Sequence, residues 1–135
     1  MSIRFLSEEH RRFFFQSLAK TKKDVYHQSF FYLLGLTEET RAQIHTMFDF
    51  SEDCIKPDGL GDSWQTDGTL KVCRLACNLW NGYCDRQQGQ AYTPEDLFAC
   101  AYAPYFMEAI RLRYPEYLPE IRLERQGKAL NHYAL

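Results

Sequence analysis

The segment 70–85 carries its polar side chains on one narrow stripe, and this pattern constrains the fold more than any other in the chain. The polar residues recur at spacings of three or four, and they are Lys71, Arg74, Asn78, Asn81 and Asp85. At about 100° per residue they cover roughly 80° of a helical wheel, and the rest of the wheel is apolar. A helix that is apolar over so much of its circumference must be enclosed by other elements. The sequence therefore predicts a central buried helix, 70–84, with one polar edge.

Helical patterns with capping signals continue through most of the chain. The predicted helix starts are Ser7, Thr21, Thr37, Thr69 and the pair Thr93-Pro94. Side-chain oxygens of Ser and Thr accept hydrogen bonds from the free backbone N–H groups at a helix start. Pro104 should kink or split the last long helix, 94–112, since an interior proline removes a backbone hydrogen bond. We predict an all-α, single-domain bundle of five or six helices packed around helix 70–84.

Length and composition fit one domain with a substantial core. The 135 residues include ten Phe, nine Tyr and two Trp, which bury large areas per side chain. We predict a single globular helical domain over 1–135, with its core in 3–117 and a C-terminal arm in 118–135. The arm fits either a short helix or an extended segment. A strand there would make the fold α+β.

The segment 51–69 interrupts the helical pattern. It holds three of the seven glycines, a proline and five acidic residues. Loops of this length are uncommon in compact domains unless they are functional or packed by their own side chains. Trp64 in its middle favours packing, so the sequence predicts a long packed loop at 51–69.

Five residues form the candidate ligand-binding site. They lie in this loop and on the polar stripe, and they are Trp64, Gln65, Arg74, Asn78 and Asn81. The indole of Trp64 would stack on a ligand, while Arg74 and Asn78 would fix its polar groups through their hydrogen-bonding atoms. The competing interpretation is that the stripe is the solvent-facing side of the helix, with Asn and Gly serving to end it.

Cys73, Cys77 and Cys84 fall with Trp80 on one face of the central helix. Three thiolates there would bind zinc only with a fourth ligand, whereas structural zinc sites generally use closely spaced pairs from turns. On the apolar side of a helix, cysteine acts as a small hydrophobic residue. His27 is expected to be a partly buried, hydrogen-bonded core residue rather than a general base. With no phosphate-binding, calcium-binding or nucleophile motif, we predict no metal site, no cofactor and no catalytic residue.

Charge is distributed unevenly along the chain. Residues 24–70 carry nine acidic and two basic residues, whereas residues 1–23 carry six basic and two acidic ones. An acidic middle fits a basic partner or a nucleic-acid mimic, but acids also gather at helix starts and in loops. A pI near 6.1 argues against nucleic-acid binding. Without a long apolar run or a signal sequence, we expect a cytoplasmic protein with reduced thiols and no membrane partner.

Several short segments carry a family resemblance. They are 5–10 (FLSEEH), 22–27 (KKDVYH), 34–41 (LGLTEETR), 64–66 (WQT) and 78–83 (NLWNGY). In these segments the chain resembles an uncharacterised family of small cytosolic proteins from Gram-positive gut bacteria and their mobile elements, a domain of unknown function. The resemblance spans residues 3–117. It implies a cytosolic bacterial setting and carries over no catalytic residue, cofactor or substrate.

Three functional hypotheses follow from the sequence. The leading one is a non-enzymatic protein-interaction module, with an unknown protein partner or self-association as a homodimer, which presents surface from loop 51–69 and the C-terminal arm. The second is a small-molecule-binding protein or enzyme with a pocket between loop 51–69 and the polar stripe of helix 70–84. The third is a mobile-element accessory protein or a nucleic-acid mimic that uses the acidic middle.

Overall fold

In a computed structural model, residues 2–118 of the chain are described and form a largely helical fold. The α-helices are α1 (Glu8–Lys20), α2 (Val25–Leu34), α3 (Glu38–Ala42), α4 (Ile44–Met47), α5 (Asp67–Asn81), α6 (Pro94–Leu97) and α7 (Ala103–Arg113). Two 3₁₀ helices, Pro57–Gly61 and Arg86–Tyr92, flank α5 on either side in the sequence. The prediction of an all-α fold is confirmed, with one small two-stranded sheet added. The predicted C-terminal arm lies outside the described residues, apart from Leu118.

Helix α2 lies at the centre of the fold together with α5. Seven of its ten residues are buried, because its sequence is apolar on every side towards its C-terminal end. The residues without exposed surface there are Phe30, Phe31, Tyr32, Leu33 and Leu34. Helices α1, α5 and α7 pack around it. Helix α2 has no polar stripe and a larger share of its residues is buried than in α5, so the core is built around the α2–α5 pair.

Helix α5 is the helix predicted from the polar stripe, but it spans Asp67–Asn81 rather than 70–84. Thr66 and Thr69 form a capping box in which each side-chain oxygen accepts a hydrogen bond from the other residue's backbone N–H. This reciprocal pair starts the helix three residues earlier than a cap at Thr69 would. At the other end, Gly82 has a φ of 79°, a left-handed conformation that glycine adopts without a steric penalty.

The segment 51–69 and the residues just before it contain regular structure that the sequence pattern does not predict. The strands β1 (Phe48–Asp49) and β2 (Cys54–Ile55) pair antiparallel, and the first 3₁₀ helix follows them. Gly59 in this helix approaches α4 so closely that a Cβ atom would lie 2.3 Å from the Thr46 carbonyl oxygen. Only glycine permits that contact, so the segment is packed against α4, as expected of a packed loop.

The start of α2 and the third predicted helix also differ from the sequence prediction. Asp24, rather than Thr21, caps α2, because the Asp24 carboxylate accepts a hydrogen bond from the His27 N–H, while Thr21 ends α1. The third helix begins at its predicted cap, Thr37, but breaks into α3 and α4 at Gln43. Helix α4 ends at Met47, and the next residue, Phe48, pairs with Ile55 in the two-stranded sheet.

The predicted helix 94–112 is divided, as expected from its internal proline. Helix α6 ends at Leu97, and α7 begins again with Pro104 in its first turn, where the missing N–H of proline has no helical partner to lose. Within residues 2–118, no helix is long and apolar enough to cross a bilayer.

Candidate functional site

Trp64 and Gln65 lie just before the start of α5. The Trp64 ring packs against the core, and its Nε1 atom is buried without a hydrogen-bond partner among the described residues. Gln65 Nε2 donates to the Gly59 carbonyl oxygen at 3.1 Å, and its Oε1 accepts from Thr69 Oγ1 at 2.7 Å. Gln65 therefore links the first 3₁₀ helix, through Gly59, to the first turn of α5, through Thr69.

The predicted polar residues of α5 have different partners. Arg74 donates from Nη2 to the side-chain oxygen of Gln88 at 3.0 Å. Asn78 donates from Nδ2 to the Tyr83 carbonyl oxygen at 3.0 Å, and Asn81 Oδ1 accepts from the Tyr83 N–H at 3.1 Å. The two asparagines thus fix the turn that follows α5. Arg74 instead reaches the second 3₁₀ helix, Arg86–Tyr92.

A cavity of about 300 Å³ lies between the two 3₁₀ helices, beside Arg74 in the middle of α5. The lining residues with polar or charged side chains are Asp58, Arg74, Tyr83, Asp85, Gln88 and Tyr92. We call it the Arg74 cavity. Of the five predicted site residues, the structure places Arg74 at this cavity, while Trp64, Gln65, Asn78 and Asn81 are not among its lining residues.

Two tyrosine rings form the aromatic part of the Arg74 cavity. The ring centroids of Tyr83 and Tyr92 are 6.4 Å apart, and their planes are inclined by 66°. Burial raises the pKa of both phenols, and the Asp85 carboxylate raises the pKa of Tyr83 further. Both phenols therefore stay neutral near physiological pH, where each hydroxyl can donate and accept hydrogen bonds.

The charged groups of the Arg74 cavity carry both signs. The guanidinium of Arg74 has five N–H donors, which is more than the single hydrogen bond to Gln88 uses. Asp58 and Asp85 contribute carboxylates to the same lining. The Asp85 carboxylate also accepts a hydrogen bond from the Gln87 N–H at 3.0 Å, which fixes the start of the second 3₁₀ helix. The lining thus presents N–H donors suited to a negative group and carboxylates suited to a positive one.

Sequence reasoning found Arg74 but missed most of this lining. Tyr83, Gln88 and Tyr92 follow α5 in a segment that reads locally as a turn, and Asp58 precedes α5 in another. No helical or strand period connects positions 58 and 92. Only the packing of the two 3₁₀ helices against α5 brings them together.

A second polar cluster, outside the Arg74 cavity, is built around His27. Its Nδ1 is 2.7 Å from Asp24 Oδ1, and its Nε2 is 2.8 Å from Asp53 Oδ1. The side chain of His27 is 4 % exposed, and its ring lies 4.8 Å from the Trp80 ring, centroid to centroid. We call this group the His27 clamp. Each ring nitrogen lies within hydrogen-bonding distance of a carboxylate, and the ring is almost wholly buried, as expected of a hydrogen-bonded core histidine.

Hydrogen bonding to His27 also sets the ionisation of Asp24. Desolvation alone would raise the pKa of the Asp24 carboxyl. The hydrogen bonds from the backbone N–H and the ring of His27, together with the electrostatic attraction of His27, outweigh desolvation and lower the pKa. Asp53 has a φ of 55°, a left-handed conformation that is uncommon for residues other than glycine. The clamp therefore holds a strained turn of the β1–β2 hairpin against α2.

Of the cysteines expected on one face, Cys73 and Cys77 are buried and Cys84 is exposed beyond the end of α5. Burial raises the pKa of the Cys73 thiol to about 12 and raises that of Cys77 as well, so both remain protonated. In residues 2–118, no three His, Cys, Asp or Glu side chains come together in a way that would hold a metal ion.

Acidic residues of the middle segment have local partners. Asp49 Oδ1 accepts hydrogen bonds from the backbone of Ser51 and Glu52 at 2.9 and 3.0 Å. Asp67 Oδ2 lies 3.7 Å from Lys71 Nζ, and Asp53 belongs to the His27 clamp. The contacts of Asp49 and Asp67 favour the interpretation that acids serve turns and helix starts, whereas Asp53 makes a long-range contact to His27.

Comparison with known proteins gives one match. The model of a family of unknown function, DUF6075, matches residues 1–126. No curated protein and no solved structure matches the chain.

Proposed function

Because the chain belongs to DUF6075, a family of unknown function, we propose its function from its own site: it binds a small amphoteric molecule in the Arg74 cavity. The second sequence hypothesis also placed a pocket between segment 51–69 and the polar stripe, but of its three named residues, Trp64, Arg74 and Asn78, only Arg74 lines this cavity. The observation that carries the proposal is the lining, in which one guanidinium, two carboxylates and two tyrosine rings surround the same concave volume. Ligand sites typically combine aromatic walls with a few polar groups of this kind.

The proposed ligand carries a carboxylate and an amine on a small apolar body. Its carboxylate would meet Arg74, because a guanidinium presents paired N–H donors that match the two carboxylate oxygens. Its ammonium group would meet Asp58 or Asp85. The apolar body would lie against Tyr83 and Tyr92, whose neutral phenols add hydrogen bonds without a further charge. The class that fits is the free amino acids and close analogues.

Thermal unfolding in the presence of amino acids tests this proposal. At a concentration near ten times the Kd, a bound ligand is expected to raise the Tm of a domain of this size by about 5 °C. Arg74→Ala should abolish that increase while leaving the circular dichroism spectrum unchanged. The matched control is Arg86→Ala, which removes an exposed arginine outside the cavity lining and should keep the full increase.

Probes that lack one charge sharpen the same experiment. Amino-acid amides and the corresponding amines retain the apolar body and lose the carboxylate, so they should stabilise the wild-type protein much less. If no amino acid raises the Tm of the wild-type protein, the proposal is wrong. It is equally wrong if the amides stabilise as well as the acids, since Arg74 would then contribute nothing to recognition.

A protein-interaction module is the second candidate, and an exposed aromatic surface favours it. The guanidinium carbon of Arg113 lies 4.0 Å from the Tyr26 ring centroid and 4.6 Å from the Tyr114 ring centroid. Tyr117, three residues farther on, is 78 % exposed. Tyrosine and arginine are enriched among the residues that dominate protein–protein binding energy. The form we propose is self-association through this surface.

Sedimentation over a wide concentration range tests self-association. A dimer should dissociate on dilution, and its Tm should rise with protein concentration. Tyr26→Ala and Tyr117→Ala should shift the equilibrium towards monomer, whereas Phe15→Ala, which removes an exposed ring from α1, should not. A wild-type protein that sediments as a monomer at every concentration would exclude this candidate.

We also propose a cytoplasmic, bacterial setting and an association with mobile elements. The support for both is the resemblance carried by the segments 5–10, 22–27 and 34–41. Cell fractionation with an antibody against the protein would test the location.

A further inference from the structure

A second concave surface lies between the C-terminal half of α1 and α4, and it shares no residue with the Arg74 cavity. Its volume is about 270 Å³. The lining that matters here comprises Phe13, Gln16, Lys20, Ile44, His45 and Phe50. We call it the α1–α4 groove.

The floor of the α1–α4 groove is aromatic and held in place from below. The Phe50 ring stacks on the buried Phe31 ring, with centroids 5.8 Å apart and planes inclined by 15°. The Phe13 ring meets the same Phe31 ring at 6.4 Å in an edge-to-face arrangement. Because Phe31 has no exposed surface, it anchors both rings. The floor therefore exists before any ligand binds.

The rim of the groove is positive or neutral. Lys20 supplies an ammonium group from the last turn of α1, and the His45 ring lies 5.4 Å from the Phe50 ring, centroid to centroid. Gln16 and Ser17 are the other polar lining residues, and no lining residue among those described is acidic. An apolar floor beside an ammonium group is complementary to a molecule with an apolar ring and a single negative charge.

We propose that the α1–α4 groove binds a small aromatic carboxylate. The aromatic ring of the ligand lies against Phe13 and Phe50, where edge-to-face and offset-stacked contacts are both available. The carboxylate lies at Lys20 and receives a further hydrogen bond from His45 or Gln16. This ligand class differs from that of the Arg74 cavity because the groove lacks the carboxylates that an ammonium group requires. The two sites are independent, so failure of one leaves the other standing.

Two-dimensional amide NMR spectra of the full chain test the proposal with 3-phenylpropionate as the probe. Millimolar additions should shift the amide resonances of residues 13–20 and 44–50 and leave those of residues 83–92 unchanged. The uncharged probe 3-phenylpropionamide has the same ring and length, and it should bind about five-fold more weakly because it cannot form an ion pair with Lys20.

Two substitutions test separately how the Lys20 charge and the Phe50 ring contribute to probe affinity. Lys20→Ala should reduce 3-phenylpropionate affinity about five-fold, to the level of the amide probe. The control Lys23→Ala removes an exposed lysine that does not line the groove and should leave the affinity unchanged. Phe50→Leu keeps an apolar side chain but loses the ring, so it should weaken both probes equally.

Three results would overturn this proposal. One is equal binding of acid and amide, and another is a Lys20→Ala variant that binds the acid as tightly as the wild type. The third is a pattern of shifts spread over the whole surface, which would mean non-specific association. Dispersed amide spectra of each variant confirm that it is folded before its affinity is compared.

Discussion

Replacing His27 with alanine is expected to lower the free energy of unfolding by about 3 kcal/mol. The substitution removes a buried ring that contacts Phe31, Phe48 and Trp80, and it leaves a cavity in the core. It also removes the hydrogen bonds to Asp24 and Asp53. Both carboxylates are partly exposed and can regain water, so the expected loss is smaller than for a fully buried ion pair.

Urea unfolding at neutral pH measures the effect of His27→Ala. The matched control is His45→Ala, an exposed histidine on α4, which should change the free energy of unfolding by less than about 0.5 kcal/mol. In a double-mutant cycle, His27→Ala and Asp53→Ala should be coupled by about 1 kcal/mol, since they remove the same hydrogen bond. Purely additive effects would show that the contact across the β1–β2 turn contributes nothing to stability.

Acidification is expected to destabilise the protein through His10, by on the order of 3 kcal/mol between pH 6.5 and pH 4. Burial lowers the pKa of His10 from 6.5 to about 4, although the hydrogen bond to the Tyr32 carbonyl opposes this. Nε2 donates to that carbonyl at 2.7 Å, and Nδ1 accepts from the Leu6 N–H at 3.0 Å, so the folded state requires the neutral ring. Between these pH values the unfolded chain binds more protons than the folded one, and stability therefore falls as pH falls.

His10→Gln is the variant that tests this pH dependence. Glutamine stays uncharged, so the variant should be less stable than the wild type at neutral pH but should lose less stability on acidification. Urea unfolding at several pH values between neutral and pH 4 gives the two profiles. Carboxylates with lowered pKa values, such as Asp24 and Glu108, contribute equally to both profiles and cancel in the comparison. Parallel profiles would mean that His10 is not the group responsible.

The features that could be predicted from the sequence are those fixed within a few residues. The polar stripe of α5 and the cap at Thr37 depend on spacings of three and four residues, which a single sequence displays directly. The true start of α5 was missed because Thr66 and Thr69 both have capping side chains, and only their reciprocal hydrogen bonds decide between them. The break between α3 and α4 at Gln43 could not be predicted, because no glycine or proline occurs near it in the sequence.

The candidate site could be predicted only on its α5 side. Arg74 is marked by its place on the polar stripe of α5, whereas Tyr83 and Tyr92 reach the cavity lining only through packing with residues far away in the sequence. Trp64 is a different case. The sequence predicts both packing of its ring and a ligand contact; the ring packs on the core, while the ligand contact stays a prediction. A sequence pattern can single out an unusual residue, but it does not show which other residues its side chain contacts in the fold.

The burial of Cys73 and Cys77 has a practical consequence for labelling chemistry. Thiols held in the protonated form inside the core react slowly with alkylating reagents, whereas Cys54 and Cys84 are exposed. Cys84 stands between Tyr83 and Asp85, two residues that line the Arg74 cavity. Once Cys54 is replaced by serine, Cys84 is an exposed attachment point for a fluorescent reporter beside the candidate site.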